Sequence, residues 1–196
     1  MKLKWDSYHD VAATWPDEGE VILASFDENE IVVYQAYKPS IADFAVKNQK
    51  FGGEFSFSRM TWIKPNFLWM MYRSGWAQKQ DQERILAISL RLDGFEEILK
   101  NAEYSSFQPE IHDSEDDWRR GLNSDVRMQW DPDHDPNGRA MERRAIQLGI
   151  RGKTLREMNE KWIVEIDDVT DLVTANRVYL PNLGGLQVPH ERIFIP

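Results

Sequence analysis

The sequence predicts an α+β fold: a single domain built on a mixed, mostly antiparallel sheet with short flanking helices. Three observations predict it. Segments typical of strands outnumber segments with helical spacing. Several of the predicted strands are separated by short turns, which favours antiparallel neighbours. The chain of 196 residues has no internal repeat and no linker rich in proline, glycine or serine, and its length suits one domain.

We expect that domain to occupy residues 20–178. Residues 1–19 are polar and end in the turn-forming sequence WPDEG, which predicts a loosely held N-terminal arm. Residues 179–196 contain three prolines and form a predicted C-terminal tail. We expect this tail to pack on the domain, and an exchange onto a partner is the alternative.

The predicted strands either alternate in polarity or are rich in β-branched and aromatic residues. The clearest of them has the sequence EIVVYQAY. In chain order the predicted strands cover residues 21–26, 30–37, 55–64, 83–92, 126–130, 144–151 and 161–166. A proline-containing acidic loop separates the fifth strand from the sixth.

The predicted helices begin at residues that can cap backbone N–H groups or start a first turn. Ser40 caps the first helix, and two consecutive glycines end it. Pro65 opens a buried apolar helix at residues 66–72, because proline is tolerated in a first turn. The remaining helices have the predicted caps Asp93, Ser114 and Thr154.

Composition excludes several classes of function. The chain holds 33 Asp and Glu against 24 Lys and Arg, and its net charge of −9 argues against extended nucleic-acid binding, which needs a basic footprint. The absence of cysteine excludes a disulfide framework, a thiolate nucleophile, a zinc finger and an iron–sulfur centre. The chain turns polar at once and has no apolar run long enough to span a bilayer, so we expect a cytoplasmic protein without membrane contact.

Common catalytic and metal-binding motifs are missing from the sequence. There is no glycine-rich phosphate loop, no GxSxG nucleophile elbow and no HExxH zinc motif. The four histidines lie far apart, and we expect them to be solvated. Residues 131–142 have the ligand spacing of a calcium loop, but Pro136 stands where such a loop needs glycine. We therefore expect an ordinary turn there and no metal.

Residues 55–76 interleave cations with aromatic rings. Arginine grips a phosphate with paired hydrogen bonds and aromatic rings stack on a base, so the segment suits an anionic nucleotide. The same rings would equally build a core, with the cations extending to its rim. The residues alone leave both interpretations open. They are Arg59, Lys64 and Arg73 among the cations and Trp62, Trp69, Tyr72 and Trp76 among the rings.

Three blocks of the sequence resemble one known family. The blocks are IVVYQAYKPSIADFAV, RMTWIKPNFLWMMYRSGW and RAIQLGIRG, and they resemble DUF4291, an uncharacterised family of small bacterial and fungal proteins. The resemblance runs from about residue 21 to residue 166. It departs at residues 20–24, EVILA, where the family usually carries an arginine-bearing stretch of the RQIRA type. The family name implies no activity.

The order of these blocks resembles the ADP-ribosyltransferases, in which nicotinamide adenine dinucleotide (NAD) lies in the cleft of a split antiparallel sheet. The resemblance implies such a sheet here. It puts Gln35 in the place of the usual arginine or histidine, Thr61 in the second motif and Gln147 in the place of the catalytic glutamate. A glutamine cannot offset the positive charge that forms as nicotinamide leaves. Either another carboxylate serves, with Glu83 the nearest candidate by sequence, or the protein binds the nucleotide with little or no transfer.

The same resemblance implies roles for ten residues. Gln35, Thr61 and Gln147 would be catalytic. The residues implied to bind NAD are Tyr34, Tyr37, Arg59, Trp62, Lys64, Trp69 and Arg73. If these residues are instead ordinary members of strands and core, the chain is a plain interaction protein.

Two functional hypotheses follow from these assignments. The first is an NAD-binding protein that transfers ADP-ribose to a nucleobase or a protein side chain. The second is a non-enzymatic module that holds a nucleotide, a single base or a nucleic-acid end in a tryptophan-lined pocket.

Overall fold

Two β-sheets form the centre of the protein. A computed structural model describes residues 1–120 and 122–196, which fold into one α+β domain with mostly antiparallel sheets. The predicted fold class is confirmed at this level. Across these residues, no helix combines the length and the apolar character needed to cross a membrane.

The described part of the chain contains eleven strands and seven α-helices. The strands are β1 (Trp5–Ser7), β2 (Ile22–Ala24), β3 (Glu30–Tyr37), β4 (Thr61–Ile63), β5 (Arg84–Arg91), β6 (Ala102–Tyr104), β7 (Val126–His134), β8 (Ala140–Ile150), β9 (Ile163–Asp168), β10 (Gln187–Pro189) and β11 (Arg192–Phe194). The helices are α1 (Tyr8–Ala12), α2 (Pro39–Asn48), α3 (Phe67–Ser74), α4 (Leu92–Lys100), α5 (Glu115–Gly121), α6 (Gly152–Glu157) and α7 (Thr170–Asn176).

The two central sheets meet at a backbone bridge. The first has the order β3-β5-β9 and is antiparallel throughout. The second has the order β4-β8-β7-β6, in which β6 and β7 are parallel. At the bridge the N–H of Tyr34 donates to the carbonyl of Lys64 (2.7 Å), and the N–H of Lys64 donates to the carbonyl of Tyr34 (3.2 Å). Past this bridge β3 pairs with β5 but not with β4, so a cleft opens between the sheets.

Strand β3 is buried on both faces, which explains its nearly continuous apolar sequence. Ile31 and Val33 belong to one apolar cluster, whereas Val32 and Tyr34 belong to a second. This follows from the strand geometry, because successive side chains point to opposite faces. Helices α2 and α4 contribute to the first cluster, and helices α3 and α7 to the second. The sheet is therefore covered by helices on both sides.

Several predicted elements are confirmed. Strand β3 has its predicted bounds, and β5 and β9 overlap the strands predicted at residues 83–92 and 161–166. The Ser114 hydroxyl caps α5 as predicted, because it accepts a hydrogen bond from the N–H of Asp117 (3.1 Å). Helix α3 follows Pro65 as predicted, with its cap supplied by Asn66.

Three predicted helix caps are wrong. Helices α2, α4 and α6 begin earlier than predicted, so Ser40, Asp93 and Thr154 lie inside their first turns. Each of these helices follows a strand after one residue or none. The direction of the chain at the end of the strand therefore sets the start of the helix, and the N-cap residue itself supplies no side-chain cap. In α6, Oδ2 of Asp125 accepts the N–H of Lys153 in the first turn (2.8 Å). Helix α2 also ends before the two glycines, at Gln49, which adopts a left-handed conformation (φ 55°).

The strand predicted at residues 55–64 is wrong in its first half, since β4 covers Thr61–Ile63. The aromatic residues before β4 pack on one another instead of pairing in the sheet. Phe55 stacks on Phe51 with ring centroids 4.6 Å apart and meets the edge of Phe57 at 4.9 Å. This packing uses the alternating rings that suggested a strand.

Strands β7 and β8 are longer than predicted and form a hairpin. The first residues of the predicted acidic loop continue β7, and the pairing register shifts after Pro132 because proline cannot donate to the ladder. Asp133 is completely buried in this hairpin, where its Oδ2 accepts a hydrogen bond from Nε of Arg143 (2.6 Å).

The two ends of the chain pair with each other and with the domain. The expectation of a loosely held arm is wrong for residues 1–19, because β1 pairs with β10 and because Val11 and Trp15 are buried. In the tail, β11 pairs with β2. The apolar residues spaced along the polar first segment supply the packing that its composition did not suggest.

We predict that Gly94→Ala destabilises the protein, although alanine normally favours a helix over glycine. A Cβ at Gly94 would lie 2.4 Å from Cγ of Trp162, so the indole ring must move. We expect the free energy of unfolding in urea to fall by about 1–3 kcal/mol. Gly184→Ala is the control, because its Cβ would meet Asn182 Oδ1 at a relaxed 3.9 Å. Equal midpoints for the two variants would contradict this packing.

Candidate functional site

A cavity of about 490 Å³ lies in the cleft between the two sheets. It collects side chains from β3, β4, α3, β7 and β8, together with the segment before β4. Eight of the ten residues implied by the resemblance line it: Gln35, Tyr37, Arg59, Thr61, Trp62, Lys64, Arg73 and Gln147. Met60, Met70, Gln82 and Gln129 line it as well, and the sequence analysis did not single them out.

The other two predicted ligand-binding residues, Tyr34 and Trp69, do not line this cavity. Tyr34 is fully buried and meets the edge of Phe67 at 5.4 Å. Because Gln35 faces the cavity, its neighbour Tyr34 must face the opposite side of β3. Trp69 stacks on Tyr72 at 5.4 Å and on His134 at 5.2 Å. Both rings serve the packing around α3, and neither can stack on a ligand in this cavity.

A small hydrogen-bond network joins the predicted residues of β3 and β4. Nε2 of Gln35 donates to Oγ1 of Thr61 (2.6 Å) and to the carbonyl of Trp62 (3.2 Å). The hydroxyl of Tyr37 lies 2.8 Å from the same Thr61 oxygen. Burial raises the pKa of the Tyr37 phenol, so this hydroxyl keeps its proton at neutral pH. The network bridges the cleft where the strands do not pair.

Across the cavity, two glutamines hold a carboxylate. Nε2 of Gln147 donates to Oδ2 of Asp131 (2.6 Å), and Nε2 of Gln129 donates to Oδ1 (2.8 Å). Gln129 and Gln147 face each other in the β7–β8 register. Because both N–H₂ groups point at Asp131, the carbonyl oxygen of Gln147 is left free to accept a hydrogen bond from a ligand.

Asp131 is therefore the carboxylate at this site, a role that the sequence did not indicate. Glu83, the candidate expected from the sequence, accepts the N–H of Asp81 (3.0 Å) and does not line the cavity. One signal was available. Residues two apart in a strand share a face, so Gln129 and Asp131 had to lie on the same side of β7.

The cavity is positively charged in a protein with a net charge of −9. Arg59, Lys64 and Arg73 line it, and none of its lining residues is acidic. None of the three side chains forms an ion pair with any residue that the structure describes. Three unpaired cations facing one space create a positive potential that attracts anions.

Lys64 is the most unusual of these cations. It is 4% exposed, and its ammonium makes no hydrogen bond within the described part of the chain. Burial and, to a lesser extent, the nearby Arg73 lower the pKa of Lys64 to about 8, although Asp131 partly offsets them. The residue is held in this position by the backbone bridge to Tyr34.

A second cavity of about 460 Å³ adjoins the first. The two share Ala36, Tyr37, Arg59, Met60 and Thr61. The second is lined in addition by Ile41 and Phe55, and by charged residues of both signs. The cleft as a whole therefore offers a cationic part and a mixed, partly apolar part.

No group of three or more histidine or acidic side chains is arranged to hold a metal among the described residues. In the segment with calcium-loop spacing, Asp133 is bound to Arg143, and Asp135 accepts the N–H groups of Asn137 and Arg139 (both 2.9 Å). These carboxylates shape the hairpin and its turn.

We predict that Lys64→Met stabilises the protein at pH 7. Removing a buried, unpaired ammonium should raise the free energy of unfolding by about 1–3 kcal/mol, since one pKa unit corresponds to about 1.36 kcal/mol. Between the folded pKa of about 8 and the ordinary lysine value, the unfolded wild type binds more protons than the folded one. Wild-type stability therefore rises with pH in that window, and the advantage of the variant shrinks.

Urea unfolding at pH 7 and at pH 9.5 measures both effects. Lys47→Met, which changes an exposed lysine on α2, is the control and should alter stability by less than about 0.5 kcal/mol. A Lys64→Met protein that is less stable than the wild type at pH 7 would show that the ammonium is stabilising.

Comparison with known families identifies the family of the chain but assigns it no activity. The model of the family described as "Domain of unknown function (DUF4291)" matches residues 21–194. No curated protein matches the chain. The match contains the three blocks on which the resemblance was based, and it covers nearly the whole sequence. The chain belongs to the DUF4291 family.

Proposed function

We propose that this protein binds NAD in the cleft between its two sheets and transfers the ADP-ribose group to a nucleobase or a protein side chain. The observation that carries the proposal is the set of three unpaired cations in a cavity without acidic lining. A pyrophosphate is the part of NAD that such a site attracts. Arginine provides paired donors that match phosphate oxygens, and Lys64 adds a point charge.

The rest of the cleft suits the other parts of a dinucleotide. Trp62 and Tyr37 supply rings beside the cations, and aromatic faces stack on a base. The adjoining cavity, with Ile41 and Phe55, gives room for the second nucleoside. Each cavity falls within the range of about 300–1,000 Å³ that is usual for ligand pockets.

The predicted catalytic residues come together in a way that supports the transfer. Gln35 and Thr61 are bonded to each other, and Gln147 lines the same cavity. The carbonyl oxygen of Gln147 would accept a hydrogen bond from a ribose hydroxyl. The carboxylate of Asp131 lies on the other side of this amide, with its Oδ2 2.6 Å from Nε2 of Gln147. A carboxylate one residue removed from the ribose would still favour the developing positive charge.

The proposed reaction breaks one bond and forms one. The bond between ribose C1 and the nicotinamide nitrogen breaks, and its electron pair leaves with neutral nicotinamide. A nucleophile of the acceptor forms a bond to the same carbon and gives up its proton to solvent. The residues of this chain hold the phosphates, orient the ribose and stabilise its positive charge.

A second function, recognition of a single base without catalysis, is favoured by the amide lining. Gln35, Gln82, Gln129 and Gln147 line the cavity, and amides hydrogen-bond the edges of bases. The absence of an acidic residue from the cavity lining also suits binding better than transfer. The partner would then be a nucleotide, a flipped base or a nucleic-acid end.

We predict that Arg73→Gln weakens NAD binding roughly 10- to 100-fold, because it removes a charge-assisted hydrogen bond to phosphate. Arg59→Gln should act in the same direction. Calorimetric titration measures the affinity. Arg139→Gln, an exposed arginine at the β7–β8 turn, is the matched control and should bind like the wild type. No heat with the folded wild type at several temperatures would remove the NAD proposal.

We predict that Asp131→Asn lowers the release of nicotinamide from NAD by at least about tenfold, the effect of 1.4 kcal/mol on a barrier, while it changes NAD affinity only a few-fold. Asparagine keeps the size of the side chain but removes its charge. Chromatographic detection of nicotinamide measures the rate. Equal release of nicotinamide by variant and wild type would exclude a role of Asp131 in the transfer. Tight NAD binding with no release of nicotinamide by the wild type would favour base recognition.

A further inference from the structure

Lys64 differs from the other cations of the cleft in a way that phosphate binding does not require. Phosphates are bound well by exposed, fully charged groups, and Arg59 and Arg73 already supply two. Lys64 is instead almost completely buried and stands beside Arg73 with no acidic partner among the described residues. Desolvation and a neighbouring cation are the two conditions that turn a lysine into a nucleophile.

The position of Lys64 is also well defined. Both of its backbone polar groups are bonded to Tyr34, so the residue is fixed at the point where the sheets meet. Its side chain lines the cavity, and its Nζ is not sealed off from that space. A free amine held rigidly in a ligand cavity can attack an electrophilic carbon of the ligand.

The surrounding side chains define the class of that ligand. Arg59 and Arg73 select a phosphate, and Gln147 and Thr61 offer hydrogen bonds to hydroxyl groups. The amine selects a carbonyl carbon. A compound with all three features is a phosphorylated aldose in its open-chain aldehyde form.

We propose that Lys64 forms an imine with the aldehyde carbon of a phosphorylated aldose, and with ADP-ribose in particular. The choice of ADP-ribose rests on the proposed function, because loss of nicotinamide to water yields ADP-ribose, whose terminal ribose opens to an aldehyde. The chain would thus capture, covalently and reversibly, the product that forms when water takes the place of the acceptor.

The step balances without an oxidant or a reductant. The electron pair of neutral Nζ forms a bond to C1 of the aldehyde, and one proton passes from the nitrogen to the carbonyl oxygen to give a carbinolamine. The nitrogen then forms the C=N bond, and the hydroxyl group leaves as water with the second proton of the amine. Amine and aldehyde become imine and water, and hydrolysis reverses the step.

Reductive trapping tests whether Lys64 forms this imine. The folded protein is incubated with ADP-ribose and cyanoborohydride for a short time, and peptide mass spectrometry locates the secondary amine. We expect Lys64 to be labelled at least tenfold faster than Lys79, which hydrogen-bonds the carbonyls of Tyr72 and Arg73, and than the exposed Lys47. Lys64→Arg should lose the rapid adduct, whereas Lys47→Arg should keep it.

The pH profile separates a nucleophile from a merely accessible lysine. Labelling at Lys64 should level off above a pH of about 8, where its amine is already neutral, whereas ordinary lysines with a pKa near 10.4 keep gaining rate. Among the described residues, Arg73 and Asp131 are the charged groups that influence this amine. A profile at Lys64 that rises to pH 10 would contradict the proposal.

The trapping experiment and the NAD titration can fail independently of each other. Rapid labelling at Lys64 without NAD binding would support imine formation with phosphorylated aldoses and remove the NAD proposal. NAD binding with labelling at Lys64 no faster than at Lys47 would overturn the imine and leave the NAD proposal standing. Labelling by unphosphorylated ribose as fast as by ADP-ribose would overturn the role of the two arginines in selecting the ligand.

Discussion

The backbone bridge between Tyr34 and Lys64 is the constraint on which the rest of the site depends. It joins two sheets that are otherwise separate, and the cleft begins where the backbone pairing between β3 and the β4 segment stops. On one side of the bridge, Gln35 and Tyr37 face the cleft from β3. On the other, Thr61 and Trp62 face it from β4. The unpaired backbone is compensated by side chains, since Gln35 bonds the carbonyl of Trp62 in place of a strand neighbour. The bridge also fixes Lys64 in a position that keeps it from water.

The ends of the chain support this cleft from a distance. Glu191, in the C-terminal tail, is buried, and its carboxyl accepts the N–H of Phe67 at the start of α3 (2.7 Å). Its carbonyl accepts the indole N–H of Trp15 from the N-terminal segment (3.0 Å). Helix α3 carries Arg73 to the cavity. The segments before residue 20 and after residue 178 therefore hold a helix of the site, although neither lines the cavity.

The charge distribution of the cleft is costly to stability. Inside the β7–β8 hairpin a buried charge is matched, because Asp133 meets Arg143. In the cleft, Lys64 is buried without such a partner among the described residues, and Asp131 is turned toward two amides. Buried charge that is left unpaired in a folded protein is typical of sites where binding has been favoured over stability. This contrast between hairpin and cleft is the physical basis for treating the cavity as a site.

Local signals in the sequence determined the strands β3, β5 and β9, the cap at Ser114, the family and eight of the residues that meet in the cleft. Periodicity, cap chemistry and motif order are properties of short segments, so they can be read without the fold. The tertiary structure decided the remainder. It places Tyr34 and Trp69 in the packing around α3, because the faces that β3 and α3 turn toward the cleft are known only from the fold. It also brought Asp131 to Gln147 and removed Lys64 from water. Those relations depend on strand register and on burial by distant segments, neither of which is encoded in any one stretch of the chain.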